Sequence, residues 1–537
     1  MKVKGLLRKI LVVGIVALFL GAIGLAFFKV NMVAYASGTI YIRANGLVEG
    51  TDKITNENNV KYTFIDDIND FIVVERSNII VDGDGYTVNG SGALMYGFNL
   101  TSVSNVTIRN LNVMGFGYGI YLQSSILNHI LENNITFNEG NIYLGNSSDN
   151  TITGNTITDG AEAIQLYASS NNTISGNSMS ENNNGVWFRF NSTDNVISGN
   201  NITENNNGIY FDSSSSNTIY RNNVTANHYN GIGLSESSNN TISENVITNN
   251  SLLMHGGCGI GLSSSSNNVL SRNSIIANNW WGINPSSSNN NTIFGNNIRN
   301  NEVGINSASS DFNIVSANNI IDNEYLGIYL EESSNNTLHH NNVINNTNQV
   351  VVDLSYANNW DDGVEGNYWS SYTGVDLSHD GIGDTPHVID ANNTDYCPLM
   401  GMFHSFNTSL GKQVNIISNS TIESFQYFAS NRTIIMQVSN MTANQTHGFC
   451  RISVPYEVMS EPFNVTIDGV NPTYWNYTLY DNGTDRWIYF EYEHSTREIE
   501  IIPDFSAITI IPLLMMATLL IAIFSRKKRT LSPRNKT

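Results

Sequence analysis

Short apolar runs alternate with polar turns along most of the chain. In the clearest copy, Gly208-Ile209-Tyr210-Phe211 is followed by Asn217-Thr218-Ile219 and then by Asn222-Asn223-Val224. Alternation within the first run places Ile209 and Phe211 on one face of a strand and Tyr210 on the other. No apolar period of 3.6 residues survives the Gly and Asn spacing, which excludes helices here. The lead position of the first strand falls at Gly119, Asn141, Ala163, Gly185, Gly208, Gly231, Gly259, Gly282, Gly304 and Gly327. The intervals are 22 or 23 residues, except for 28 between Gly231 and Gly259. A fixed period of that size decides the architecture. Three short strands per repeat predict an all-β, three-sided parallel solenoid, its coils stacked roughly 4.8 Å apart around a narrow apolar core.

Asn recurs at the same period, at Asn155, Asn177, Asn200, Asn222, Asn245, Asn273, Asn296, Asn318 and Asn341. Asn tolerates the left-handed backbone of a sharp corner. Its amide also suits a ladder of hydrogen bonds from coil to coil. Both roles are expected of these positions.

Regular coils are read over 78–360, preceded by a strand-rich N-terminal cap over 38–77. A C-terminal cap with an Asp-rich loop follows over 361–400. The period then stops, and alternating strands such as Cys450-Arg451-Ile452-Ser453-Val454 and Trp487-Ile488-Tyr489-Phe490 predict a small β-sandwich over 405–503.

The ends carry a different pattern. Lys2, Lys4, Arg8 and Lys9 precede an apolar run, and Ala34-Tyr35-Ala36 follows it. Residues 1–36 therefore read as a signal peptide, with a retained N-terminal anchor as the alternative. Residues 505–525 read as a C-terminal transmembrane helix, with the basic segment 526–537, opening on Arg526-Lys527-Lys528-Arg529, as its cytoplasmic tail. The body between them is expected outside the cell, as part of a single-pass membrane protein. The order Pro503-Asp504-Phe505, apolar segment, basic cluster resembles the C-terminal sorting signals of archaeal surface proteins.

Charge sharpens that picture. The net charge is −21, and all 46 acidic residues lie between Glu49 and Asp504. Such a body repels nucleic acid and anionic lipid. Three cysteines are too few for a disulfide framework and read as separate small residues, with a Cys397–Cys450 bridge as the alternative. N-x-S/T sequons such as Asn171 and Asn239 mark surface turns open to glycosylation in an exported chain.

The coils resemble the right-handed parallel β-helix family, and more narrowly its NosD-like, carbohydrate-binding and sugar-hydrolase type common on archaeal surfaces. The likeness rests on G-I-x-L…S-S-N-N-T-I…N-x-I over 78–354. It extends to Gly366-Asn367-Tyr368-Trp369-Ser370 and Asp380-Gly381-Ile382-Gly383-Asp384-Thr385-Pro386. The resemblance implies the fold, but it spans lyases, hydrolases, epimerases, copper-delivery proteins and adhesins.

Four features rise above the repeat. Tyr121, Tyr143, Trp187 and Tyr210 fill the outward position of successive first strands, with Gln165 among them. Such a row suits stacking on sugar rings, or on itself. Asp159, Glu181 and Glu204 each precede the next lead position by four residues. Stacked one coil apart, they approach the carboxylate separation of a retaining glycosidase; the alternative is a solvated acidic edge. The 28-residue interval holds Met254, His255 and Cys258, soft donors suited to copper, or a plain bulge. Asp376, Ser378, Asp380, the Ile382 carbonyl and Asp384 occupy positions 1, 3, 5, 7 and 9 of a calcium loop, with Gly381 at its sharp turn but no Glu at position 12; the alternative is a metal-free capping turn. The expected function is a membrane-anchored surface protein that binds or organises polysaccharide. The alternatives are a polysaccharide hydrolase or lyase and a NosD-like copper carrier.

Overall fold

The structure is a computed structural model that describes residues 39–90, 95–252, 256–460, 463–493 and 495–503. It divides into two compact units, one ending at Ile164 and the other beginning at Gln165. Among the described residues no helix is long and apolar enough to cross a membrane. The signal-peptide and transmembrane segments read from the sequence lie outside the described residues, as do Met254 and His255.

The first unit opens with two hairpins. Ile40–Ile42 pairs antiparallel with Val48–Glu49, and Ile54–Glu57 with Lys61–Phe64. Each hairpin also starts a parallel stack, Ile40–Ile42 on Ile72–Val74 and Lys61–Phe64 on Ile79–Asp82. The predicted cap is thus already part of the solenoid. Its antiparallel strands occupy the sheet edges that would otherwise be open for pairing with another chain. Three parallel stacks continue through Tyr118–Gln123 on Gly140–Gly145, His129–Leu131 on Thr151–Thr153, and Asn134–Thr136 on Thr156–Thr158.

The second unit repeats the arrangement in register. Ile197 lies opposite Ile219, Ile202 opposite Val224, and Ile209 opposite Ile232, all fully buried. Like side chains stacked on like suit the close packing that a narrow apolar core requires. The lead glycine follows from this packing. A Cβ on Gly208 would lie 2.4 Å from the Gly231 carbonyl oxygen in the next coil.

The asparagines divide their two expected roles with their neighbours. The left-handed corner is taken by the residue before each ladder asparagine: Gly199 (φ 62°), Arg221 (φ 53°), Glu244 (φ 56°) and Arg272 (φ 54°). The asparagine itself is buried. Asn200 donates through Nδ2 to Asn222 Oδ1 at 2.9 Å, and Asn222 to Asn245 at 3.0 Å. Each also donates to the backbone inside the coil, as Asn222 does to the Ile197 carbonyl at 2.9 Å. The ladder is as expected. The corner assignment is corrected, because an amide pointing inward to its ladder cannot also project outward from the corner.

After Trp369 the chain forms a two-sheet sandwich. One sheet holds Met402–Asn407, Gln413–Ser418, His447–Pro455, Asp485–Glu493 and Tyr474–Asp481. The other holds Ser420–Phe428, Thr433–Asn440, Arg497–Pro503 and Phe463–Ile467. Ile416, Met436, Ile452, Phe490 and Ile499 meet between them. Cys258, Cys397 and Cys450 are all free thiols.

Candidate functional site

The aromatic row is real, but its rings largely face one another. In the first unit Tyr121 and Tyr143 are in register, with centroids 5.1 Å apart and planes within 5°. Tyr96 stacks on the other side of Tyr121 at 4.1 Å, and Tyr118 tilts against Tyr143 at 5.2 Å. Burial, with help from the neighbouring tyrosines, pushes the Tyr121 hydroxyl up to about 12. In the second unit the Arg189 guanidinium lies 4.4 Å from the centre of the Trp187 ring. Tyr210 lies over Gly233, whose missing Cβ would stand 2.9 Å from its ring. Gln165 is buried. These faces are spent on stiffening the sheet, so mainly ring edges are left for a ligand.

Asp159, Glu181 and Glu204 share one backbone feature, a left-handed corner with φ of 53°, 58° and 56°. Phe137, Ala226, Asn249 and Ala277 occupy the same corner in other coils. Asp159 accepts a hydrogen bond from Thr136 Oγ1 at 3.1 Å, and Glu181 and Glu204 are exposed. The corner selects for a turn, and these acids project from it.

Cys258 is buried. Its thiol donates to Asn230 Oδ1 at 3.2 Å, and burial pushes its pKa up to about 12. That environment opposes the thiolate a metal requires.

In the Asp-rich loop, Gly381 takes φ +84° as the calcium-loop reading requires. Asp376 accepts from the Asp380 N–H at 3.1 Å and the Gly381 N–H at 2.8 Å, and Asp380 from the Ile382 N–H at 2.8 Å. The Leu377 N–H donates to Asp384, and the Ser378 hydroxyl to Asp376 at 3.3 Å. The carboxylates thus close the loop on its own backbone. The loop is also tied to the sandwich, since Arg451 Nη1 donates to the Asp380 carbonyl at 2.9 Å.

Two constellations were not visible in the repeat. The first is a cavity of about 300 Å³ between the coils and the strand Met402–Asn407. Arg272, Phe294, Asn319, His404, Phe406 and Gln413 help to line it, and none of its lining residues is acidic. Arg272 runs across Gly295, whose missing Cβ would lie 3.6 Å from its Cγ. The His404 Nε2 is fully buried with no hydrogen-bond partner, and burial pulls the imidazole pKa down to about 4. A buried unpaired ring nitrogen is costly in a native structure and marks a place where a polar group would be welcome. The second is a buried hub. Glu365 accepts from Arg451 Nε at 2.5 Å, Trp487 Nε1 at 2.8 Å and His340 Nε2 at 2.9 Å. Burial alone would raise the Glu365 pKa, but His340 and Arg451 hold it down to about 2.

A model for the right-handed β-helix region matches residues 96–247, and one for the periplasmic copper-binding protein NosD matches 245–374. No curated protein matches the chain. Among solved structures, a mutant of the periplasmic alginate epimerase AlgG is 16% identical, with a TM-score of 0.41, covering 59% of this chain and 83% of that one. The A-module of the Azotobacter vinelandii mannuronan C-5 epimerase AlgE4 is 15% identical, with a TM-score of 0.32, covering 60% and 91%. A tailspike protein mutant of the E. coli bacteriophage HK620 is 9% identical, with a TM-score of 0.38, covering 82% and 83%. The chain is a right-handed parallel β-helix repeat protein with NosD-like coils. The copper implied by the second model finds a poor donor in the Cys258 thiol. A nitrogen and oxygen donor set does exist, at His339, His340 and Asp362.

Proposed function

We propose that this chain is a surface-anchored β-helix protein that binds acidic polysaccharide without cleaving it. The cavity beside Arg272 and His404 carries this reading. The body is strongly acidic, yet this cavity is lined by an arginine, an imidazole, amides and phenylalanine rings, with no carboxylate. A fixed cation recognises a sugar carboxylate, aromatic rings cover its apolar face, and amides take its hydroxyls. The two apolar terminal segments support display at the cell surface, with the body outside.

The test is a panel of neutral and uronate-containing polysaccharides offered to the full chain, with binding and product formation read separately. Binding of acidic polymers alone is expected, weakened at least tenfold by Arg272→Ala, with no product. Product lost in Glu181→Gln would establish the hydrolase or lyase alternative. Equal binding of neutral and acidic polymers would show that the cavity is not the binding site.

A further inference from the structure

We propose that His339, His340 and Asp362 form a binding site for one divalent transition-metal ion of the copper(II) and zinc class. One ligand atom from each of the three lies within 4.8 Å of the other two. The imidazoles meet through their Nδ1 atoms at 2.9 Å. The other ring nitrogen of His340, Nε2, faces Glu365 Oε2 at 2.9 Å and donates its proton there. His340 Nδ1 is then a lone pair, and a single proton lies between it and His339 Nδ1. A metal ion takes the place of that proton: neutral His339 carries its proton on Nε2 instead of Nδ1, exchanging it through solvent, so that both Nδ1 lone pairs bind the ion. Ligands at right angles with bonds of about 2.0–2.1 Å stand about 2.9 Å apart, the spacing already present here and the one a tetragonal copper(II) ion prefers; tetrahedral zinc would need them to part by about half an ångström.

The surroundings hold these donors in place. His340 stacks on Phe403 with centroids 4.3 Å apart and planes within 12°. Glu365, itself clamped by Arg451 and Trp487, fixes the His340 tautomer. A carboxylate on the far nitrogen of a ligating imidazole is the usual outer support of such sites. Asp362 Oδ1 accepts from the Val364 N–H at 2.9 Å and the Glu365 N–H at 2.7 Å, while Oδ2 lies 3.9 Å from His340 Nε2. That oxygen approaches the edge of His340 that Glu365 holds, and one ligand atom of Asp362 falls within 4.8 Å of one on each imidazole. Three protein ligands leave coordination positions open, so a bound ion would remain exchangeable.

The test is titration of the full chain with Cu²⁺ and, separately, Zn²⁺, read by calorimetry and by electron paramagnetic resonance of the copper form. One ion per chain, with the spectroscopic signature of two imidazole nitrogens, is expected. Asp362→Asn keeps an oxygen for the two backbone N–H groups, so it should fold as the parent does. It should bind at least about tenfold more weakly, as should His339→Ala. The metal-induced rise in unfolding temperature should disappear with the binding. Cys258→Ser and Asp380→Asn should bind normally. An absence of binding in the parent, unchanged binding in Asp362→Asn, or binding lost in Cys258→Ser overturns the assignment. Polysaccharide binding repeated in chelator is expected to be unchanged, which keeps this test separate from that of the preceding proposal.

Discussion

Arg451 Nε lies 2.5 Å from Glu365 Oε1, and both side chains are buried where the sandwich meets the last coils of its unit. Trp487 and His340 also donate to Glu365. Removing one partner of such a pair strands the other charge in the interior. Arg451→Met should therefore cost about 3–5 kcal/mol in urea denaturation. Adding Glu365→Gln to that variant should recover part of the loss, giving a clear coupling in the double-mutant cycle. Additive effects would show that the contact does not hold sandwich to coil.

The Asn ladder makes a second prediction. Asn222 Oδ1 accepts from both the backbone N–H and the side chain of Asn200, while its amide serves the Ile197 carbonyl and Asn245. Asn222→Ala strands several buried groups at about 1–3 kcal/mol each, so a loss above about 3 kcal/mol is expected. Asn222→Asp keeps the acceptors but cannot donate, and it buries a charge. It should be the worse variant at pH 7 and should recover toward the alanine variant in acid. Thermal unfolding at the two pH values checks both.

These cases show what the sequence reveals and what it hides. The 22–23-residue period exposes the coils directly, because each turn must present the same residue types to its neighbours. The ladder was readable for the same reason. The corner was misassigned because Asn222 and Arg221 are adjacent, and period alone does not say which of two neighbours turns outward. The cavity and the hub were hidden for a deeper reason. Arg272 and His340 sit at corners that Gly199 or Ala317 fills equally well elsewhere, while His404 and Arg451 come from strands outside the repeat. Only folding brings Glu365 to Arg451, 86 residues away. The one available signal was a charged or imidazole side chain at a corner where Gly suffices.

The tyrosine row can be tested as a structural device. Tyr121 stacks on Tyr96 and Tyr143 and tilts against Tyr118, so Tyr121→Ala removes three ring pairs worth about 0.5–1.5 kcal/mol each, in addition to its area burial. A stability loss with unchanged polysaccharide binding is expected. Binding lost without a change in unfolding would instead make the row a sugar platform.

Asp395 sets the pH response of the segment that closes the coils. It receives the Trp369 Nε1–H at 2.8 Å and the Asn367 N–H at 2.8 Å, and it fills the space where a Cβ on Gly366 would stand. Burial raises its pKa to about 6 despite these donors. A carboxyl whose folded pKa is raised binds its proton more tightly in the native state. Its stabilising contribution is fully present below the ordinary carboxyl value and is lost as the pH rises through about 6. A shift of about two units corresponds to roughly 3 kcal/mol. Asp395→Asn removes this titration. The stability of the parent relative to the variant should therefore fall by about that amount between pH 3.5 and pH 7 and then level off. A difference that stays flat across the range, or that grows in favour of the parent, would place the ionised carboxylate among the stabilising groups instead.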